Sequence, residues 1–149
     1  MQGISIKYGL LMLAGFIALY LVIYVMGYAH RSEFRILNGF IHLYFIYKAI
    51  QAYYKLHPEN IGNYMMGVMQ GMGASLIGVG GYTAFVTIFL ALDPTLMNLI
   101  RQNSKMAAYL NPYSISLYTM VEGLVVSLIG AYILTRVVDN QVKKEEFKA

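Results

Sequence analysis

Residues 62–92, GNYMMGVMQGMGASLIGVGGYTAFVTIFLAL, hold half of the protein's 14 glycines in one uninterrupted apolar run. On a helix at about 100° per residue, Gly67, Gly71, Ala74, Ser75, Gly78 and Gly81 share an arc of about 120°, with Met65, Met69, Met72 and Leu76 opposite. In water so much glycine weakens a helix. In a bilayer the same stripe of small residues lets a neighbouring helix approach until backbones pack. The stripe therefore predicts a docking groove on a membrane helix, closed at one end by Tyr82 and Phe85.

The rest of the chain agrees. Of 149 residues, 58% are hydrophobic and only 12% charged, too apolar for an ordinary water-soluble domain. A spanning helix needs about 20 mostly apolar residues, and four segments approach or exceed that length: about 8–28, 37–54, 64–92 and 113–137. The expected fold is all-α, a single integral membrane domain over 1–149: a four-helix bundle with antiparallel neighbours. Residues 94–112 form a short interfacial helical segment between the third and fourth spans, and residues 138–149 a solvated cytoplasmic tail. Too little chain remains for a separate catalytic domain. The absence of cysteine removes disulfides, thiolate catalysis and cysteine metal sites.

The +4 net charge is spread along the chain rather than gathered in a patch, so nucleic acid is not an expected partner. The basic residues give an orientation instead. With both termini inside, Lys7, Lys48, Lys55, Arg136, Lys143, Lys144 and Lys148 lie on the cytoplasmic side, against Arg31, Arg35, Arg101 and Lys105 outside. A bacterial cytoplasmic membrane with N- and C-termini inside is the expected location.

Tyr20, Tyr24 and Tyr28 recur every four residues and form one ridge, read as an interfacial aromatic belt or the lining of a ligand pocket. In the second span Arg35, Asn38 and His42 share a face, while Lys48 points elsewhere and is expected to snorkel to the inner surface. The third span ends where Asp93 caps a new helix with Pro94 at its first position. Gly78-Val-Gly-Gly-Tyr82 is not a potassium filter, lacking a pore helix before it, and no GK[ST] makes it a phosphate loop.

The fourth span carries Glu122 near the bilayer midplane and a second small face of Gly123, Ser127 and Gly130. If the outer ends of the third and fourth spans are level, facing residues have numbers totalling about 204 or 205. Gly81 then meets Gly123, Gly78 meets Ser127 and Ala74 meets Gly130. Glu122 is expected to point inward and hydrogen-bond within a cluster drawn from His42, Tyr82, Thr83 and Tyr118, because a lone buried carboxylate is costly.

Lys7-Tyr-Gly-Leu, the tyrosine- and lysine-rich end of the second span, Leu92-Asp93-Pro94 and Glu122-Gly123-Leu124 together resemble a bacterial family of small four-helix membrane proteins. It is common in Bacteroidota and described as domain of unknown function 4199. The resemblance covers nearly the whole chain and implies the fold; the family has no established activity.

Two function classes follow. The first is a non-catalytic accessory or assembly subunit of a larger membrane complex, or a self-associating scaffold, whose partners are the bilayer and other subunits or a second copy. The second is a small transporter or channel component using the His42, Glu122 and tyrosine cluster for protons or a small ligand. Catalysis within the membrane lacks any constellation: there is no HExxH, and none of the three histidines has metal-binding spacing. No enzyme activity, cofactor or metal is expected.

Overall fold

The structure, a computed structural model, describes residues 2–146. Five α-helices account for most of it: α1 (Gln2–Val25), α2 (Arg35–Leu56), α3 (Tyr64–Leu92), α4 (Pro94–Gln102) and α5 (Pro112–Glu146), joined by short 3-10 turns at Ser32–Phe34, Pro58–Asn60 and Ala107–Tyr109. No strand occurs among the described residues.

The helix ends follow local chemistry. After α1, Gly27 adopts φ +78°, and its amide and that of Tyr28 return to the carbonyls of Tyr24 and Ile23. This paired closure of a helix C-terminus needs a residue that tolerates positive φ. At the α3 to α4 corner the Asp93 carboxylate accepts from the Leu96 amide at 3.0 Å and from the Tyr24 hydroxyl at 2.7 Å. These donors hold its carboxyl below the usual carboxylate range. At the start of α5, Asn111 Oδ1 accepts from the Ser114 amide and Ser114 Oγ accepts from the Asn111 amide, so each side chain caps the other's backbone.

Helix α3 is the hub, packing against α1, α2 and α5. It runs parallel to α1, as the pairings Ser5 to Gln70, Met12 to Gly78 and Tyr24 to Asp93 require, and antiparallel to α5, where Gly67 faces Thr135 and Thr87 faces Ser116. Among the four long helices, those that follow one another in sequence are antiparallel, but two of the close spatial pairs, α1 with α3 and α2 with α5, are parallel.

The small-residue stripe of α3 is buried within the chain and divided among three neighbours. A Cβ at Gly67 would lie 2.5 Å from Thr135 Cγ2 and 2.6 Å from the Tyr54 hydroxyl, and one at Gly71 would meet Ala131 and Ile46. Further along, Gly78 meets Met12 and Gly81 meets Leu13, both on α1. Ala74 and Ser75 are fully buried. The expected pairs Gly81 with Gly123, Gly78 with Ser127 and Ala74 with Gly130 do not form. Gly123 receives Val79 and Gly130 receives Leu43 of α2. The pairs Gly67 with Thr135, Gly71 with Ala131 and Val79 with Gly123 all total 202, a slip of two to three residues from level ends. The physical reason is that an arc of about 120° is wide enough to seat more than one helix, and small residues pack best against side chains that fill them rather than against each other.

Three helices are long and apolar enough to cross a membrane: Gly3–Val25, Tyr64–Leu92 and Pro112–Lys144. Helix α2, expected as a fourth span, is not among them, because Arg35, Asn38, His42, Lys48, Gln51 and Lys55 lower its hydropathy. Its polarity is arranged inside out. His42 is buried, whereas Ile36, Phe40 and Tyr44 are largely exposed.

The tail departs from expectation. Helix α5 continues to Glu146, about nine residues past the expected end of the span at Val137. Val138 is fully buried and Asp139 nearly so; Asp139 accepts from the Gly62 amide at 2.8 Å and from Lys143 Nζ at 2.7 Å. The expected solvated segment 138–149 is thus helical to Glu146 and docked at Val138 and Asp139, while Asn140, Gln141, Lys143 and Lys144 are exposed as expected; residues 147–149 lie outside the described residues. Between α3 and α5, α4 and the turn at Ala107–Tyr109 supply the expected short helices, with Leu96 and Met97 buried.

Candidate functional site

At the α4 end, the helices part around a cavity of about 540 Å³. Phe16, Tyr20, Val79, Tyr82 and Val86 form much of its wall, the turn from Ala29 to Phe34 and Ile100 of α4 border it, and His42 lies deepest along α2. The opening arises from side-chain size on α3. Where the stripe gives way to Tyr82, Phe85 and Phe89, bulky rings hold the neighbours off. Tyr20 packs edge-on against Phe85 at 5.6 Å and Phe89 at 5.2 Å, and Phe16 lies tilted against Tyr82 at 5.2 Å.

Of the tyrosine ridge of α1, Tyr20 belongs to this wall, whereas Tyr24 and Tyr28 lie outside it and are exposed. Tyr20 lines the cavity, Tyr24 bonds Asp93, and Tyr28 stacks on Phe34 with ring centroids 5.5 Å apart. Lys48 lies over the rings of Tyr44 and Tyr47 at 5.8 and 5.9 Å.

Polar groups meet the cavity in three sets. At its mouth Arg35 donates to Glu122 at 2.7 Å and to Thr119 at 3.0 Å, its guanidinium 5.2 Å from the centre of the Tyr118 ring. At its floor His42 Nε2 lies 3.0 Å from Ser127 Oγ and 3.1 Å from Ser75 Oγ. Ser127 Oγ gives its hydrogen to the Gly123 carbonyl at 2.6 Å, so the network assigns the imidazole hydrogen to Nε2, shared between two hydroxyl oxygens. Between these, Asn38 Nδ2 stands 3.5 Å from the Tyr82 hydroxyl, at the outer limit of a hydrogen bond.

The five residues expected to form one cluster, His42, Tyr82, Thr83, Tyr118 and Glu122, are separated. Glu122 is not buried in protein: its side chain is 46% exposed and its partner is Arg35, which was outside the expected cluster. Tyr118 is 63% exposed and contributes its ring face. Thr83 Oγ1 is buried and bonds none of the other four. His42, Tyr82 and Glu122 still line the same cavity, but each with its own partner. The register slip explains the difference, since it sets Glu122 level with Gly80 instead of Tyr82. Arg35 was legible as lying on the His42 face; a basic and an acidic residue, each alone on its helix near the same end, were the missed signal.

The floor resembles a nucleophile and base in composition only. Ser75 and Ser127 are both fully buried, so neither oxygen can reach a substrate. Among the described residues no three His, Cys, Asp or Glu side chains are placed to hold a metal ion. What the arrangement can do is bind: apolar and aromatic walls with a few convergent polar groups are the usual makeup of a small-molecule pocket.

No protein-family model, curated protein or solved structure matches the chain. The reading of the site rests on its geometry.

Proposed function

We propose that this protein is a non-catalytic, multi-pass membrane protein that receives a small molecule in the cavity at its α4 end, as a small transporter or a channel component. In this reading α1, α2, α3 and α5 cross a bacterial cytoplasmic membrane as a four-helix bundle, with α4 in the interface opposite the chain termini. The excess of Lys and Arg toward the termini supports that orientation. Support for α2 as a fourth span comes from its inside-out polarity: Arg35, Asn38 and His42 meet partners on α3 and α5, while Ile36, Phe40 and Tyr44 face outward as they would toward lipid.

The observation that carries the reading is the cavity itself, about 540 Å³ within a chain whose other half is tightly packed. Gly39 supplies the test. It lines the cavity, and a Cβ there meets no atom within 4 Å, so a larger side chain can occupy the space without a clash at its base. Wild-type protein purified from native membranes should carry a small molecule, detectable by mass spectrometry of the extract. Gly39→Phe should lose that molecule while keeping helix content and melting temperature. Equal recovery from both proteins would refute a ligand role for the cavity.

An accessory-subunit reading is favoured by one separate feature. Along α5, Leu117, Val121, Val125, Leu128 and Ile129 form a continuous exposed apolar face. Recovery of a stoichiometric membrane partner, lost when Val125 and Ile129 are changed to bulkier Trp, would support it; recovery of lipid alone would not.

A further inference from the structure

The cavity wall contains an orphaned donor and an orphaned acceptor on two residues that both adjoin Tyr82. Among the described residues the Tyr20 hydroxyl and Asn38 Oδ1 are buried without a hydrogen-bond partner. Both residues line the cavity and both adjoin Tyr82, Tyr20 with its ring centroid 6.3 Å away and Asn38 through the long 3.5 Å contact. A buried polar atom left unpaired costs free energy that an occupant can recover. The charged groups around the cavity offer no such vacancy. Arg35 and Glu122 are closed on each other at 2.7 Å, and the Arg31 guanidinium lies 5.3 Å from the centre of the Tyr28 ring.

Resting on the ligand-cavity reading above, we propose that the occupant is a neutral amphiphile whose head carries a hydroxyl, seated between Tyr20 and Asn38. A hydroxyl is the smallest group that answers both orphans at once, accepting from the Tyr20 hydroxyl and donating to Asn38 Oδ1. A carboxylate would accept from Tyr20 but set a negative charge against the Asn38 oxygen. An ammonium would donate to Asn38 but bring an unpaired charge into an aromatic wall. The body of the amphiphile lies along Ile23, Val86, Leu90 and Ile115, which make the cavity predominantly apolar. An aromatic head is favoured further, because Phe16, Tyr20 and Tyr82 meet it with ring edges and faces. Both orphaned atoms are covered by the surrounding side chains, so the head enters by parting Tyr20 from Tyr82. That motion sacrifices the Tyr20 to Tyr82 contact and loosens the packing of the ring that moves, Tyr20 on Phe85 and Phe89 or Tyr82 on Phe16 and Asn38.

The test uses four probes that differ in the head: 4-octylphenol, octylbenzene, octanoate and octylamine. The full chain carrying Val126→Cys, whose thiol would line the cavity, is placed in phosphatidylcholine nanodiscs and modified with a small water-soluble thiol reagent. 4-Octylphenol should slow modification about tenfold more than octylbenzene does, the worth of roughly one recovered hydrogen-bond pair. Adding Tyr20→Phe or Asn38→Leu should erase that difference, with an unchanged melting temperature showing that the variant is folded. Octylbenzene protecting as well as 4-octylphenol, or protection that survives both substitutions, would overturn the hydroxyl assignment and leave the orphaned atoms to water. Stronger protection by octanoate or octylamine would overturn it in favour of a charged head while sparing the cavity reading. If no probe protects and the thiol reacts no faster than one at fully buried Ala131, the cavity reading itself fails, and this proposal with it.

Discussion

The two ends of α3 are built from the same helix and behave differently. Toward the chain termini Gly67 and Gly71 let α2 and α5 close in, and Ile46, Ile50, Tyr53, Tyr54, Ala131 and Thr135 are sealed to 1% exposure or less. Toward α4 the helix presents Tyr82, Phe85 and Phe89, α1 meets it with Phe16 and Tyr20, and a cavity remains. Side-chain size along one face thus decides where this protein is solid and where it is hollow. In lipid that follows naturally, since association between helices rests on close packing more than on the hydrophobic effect.

The largest expected effect lies at the solid end. Gly71→Leu drives a side chain into Ala131 and Ile46, whose nearest atoms would be 2.9 and 3.0 Å from the new Cβ, so overpacking should cost about 3 kcal/mol or more. At the hollow end the Cβ of Gly39→Leu meets nothing within 4 Å, and the substitution should change stability by less than about 1 kcal/mol. Comparing the two by reversible denaturation in mixed micelles checks the contrast; equal losses would break it.

Next comes the floor that separates the halves. His42→Leu leaves Ser75 and Ser127 without their shared donor, and a loss of about 1–2 kcal/mol is expected in the same assay. Ser75→Ala with Ser127→Ala in the His42→Leu background should recover part of it, because the unpaired oxygens are then gone. A neutral His42→Leu would mean that the floor is held by packing alone.

A comparable loss of about 1–2 kcal/mol is expected for Asp139→Ala, which frees the Gly62 amide and Lys143 and loosens the turn between α2 and α3. Faster hydrogen exchange at Gly62 should accompany it. Unchanged exchange would restore the solvated tail that the sequence suggests.

The smallest effect is a pH response at the hollow end. The Leu96 amide and the Tyr24 hydroxyl lower the Asp93 carboxyl from its ordinary value of 3.8. A depressed carboxyl contributes its stability above that value and loses it as the pH falls through the folded-state pKa. The protection of the Leu96 amide, the factor by which it exchanges more slowly than an unstructured amide at the same pH, should therefore fall in acid below about pH 4. In Asp93→Asn, which keeps a cap without a titrating group, it should not; a response that persists there would assign it to another residue.

How far the sequence could be read depended on whether a feature was local. Asp93-Pro94, Asn111-Pro112 and Pro58 mark helix boundaries through their own backbone chemistry, and α3 begins and ends at the residues its apolar run suggests. The end of α5 was hidden because hydropathy falls at Asp139 while nothing there breaks the helix; its continuation depends on the amide of Gly62, distant in sequence. The site was legible as parts. His42, Tyr82 and Glu122 do line one cavity, but their partners follow from a helix register that a wide stripe of small residues leaves undetermined.

The contrast between a solid and a hollow half is most directly tested by single cysteines, for which the natural chain, having none, is a ready background. Val126→Cys and Ala131→Cys lie five residues apart on α5, the first lining the cavity and the second fully buried at the solid end. In nanodiscs a small water-soluble thiol reagent should modify the Val126→Cys thiol at least about a hundredfold faster, as expected for a group that rarely opens to solvent in the other half. Equal rates, or faster reaction at Ala131→Cys, would contradict the account.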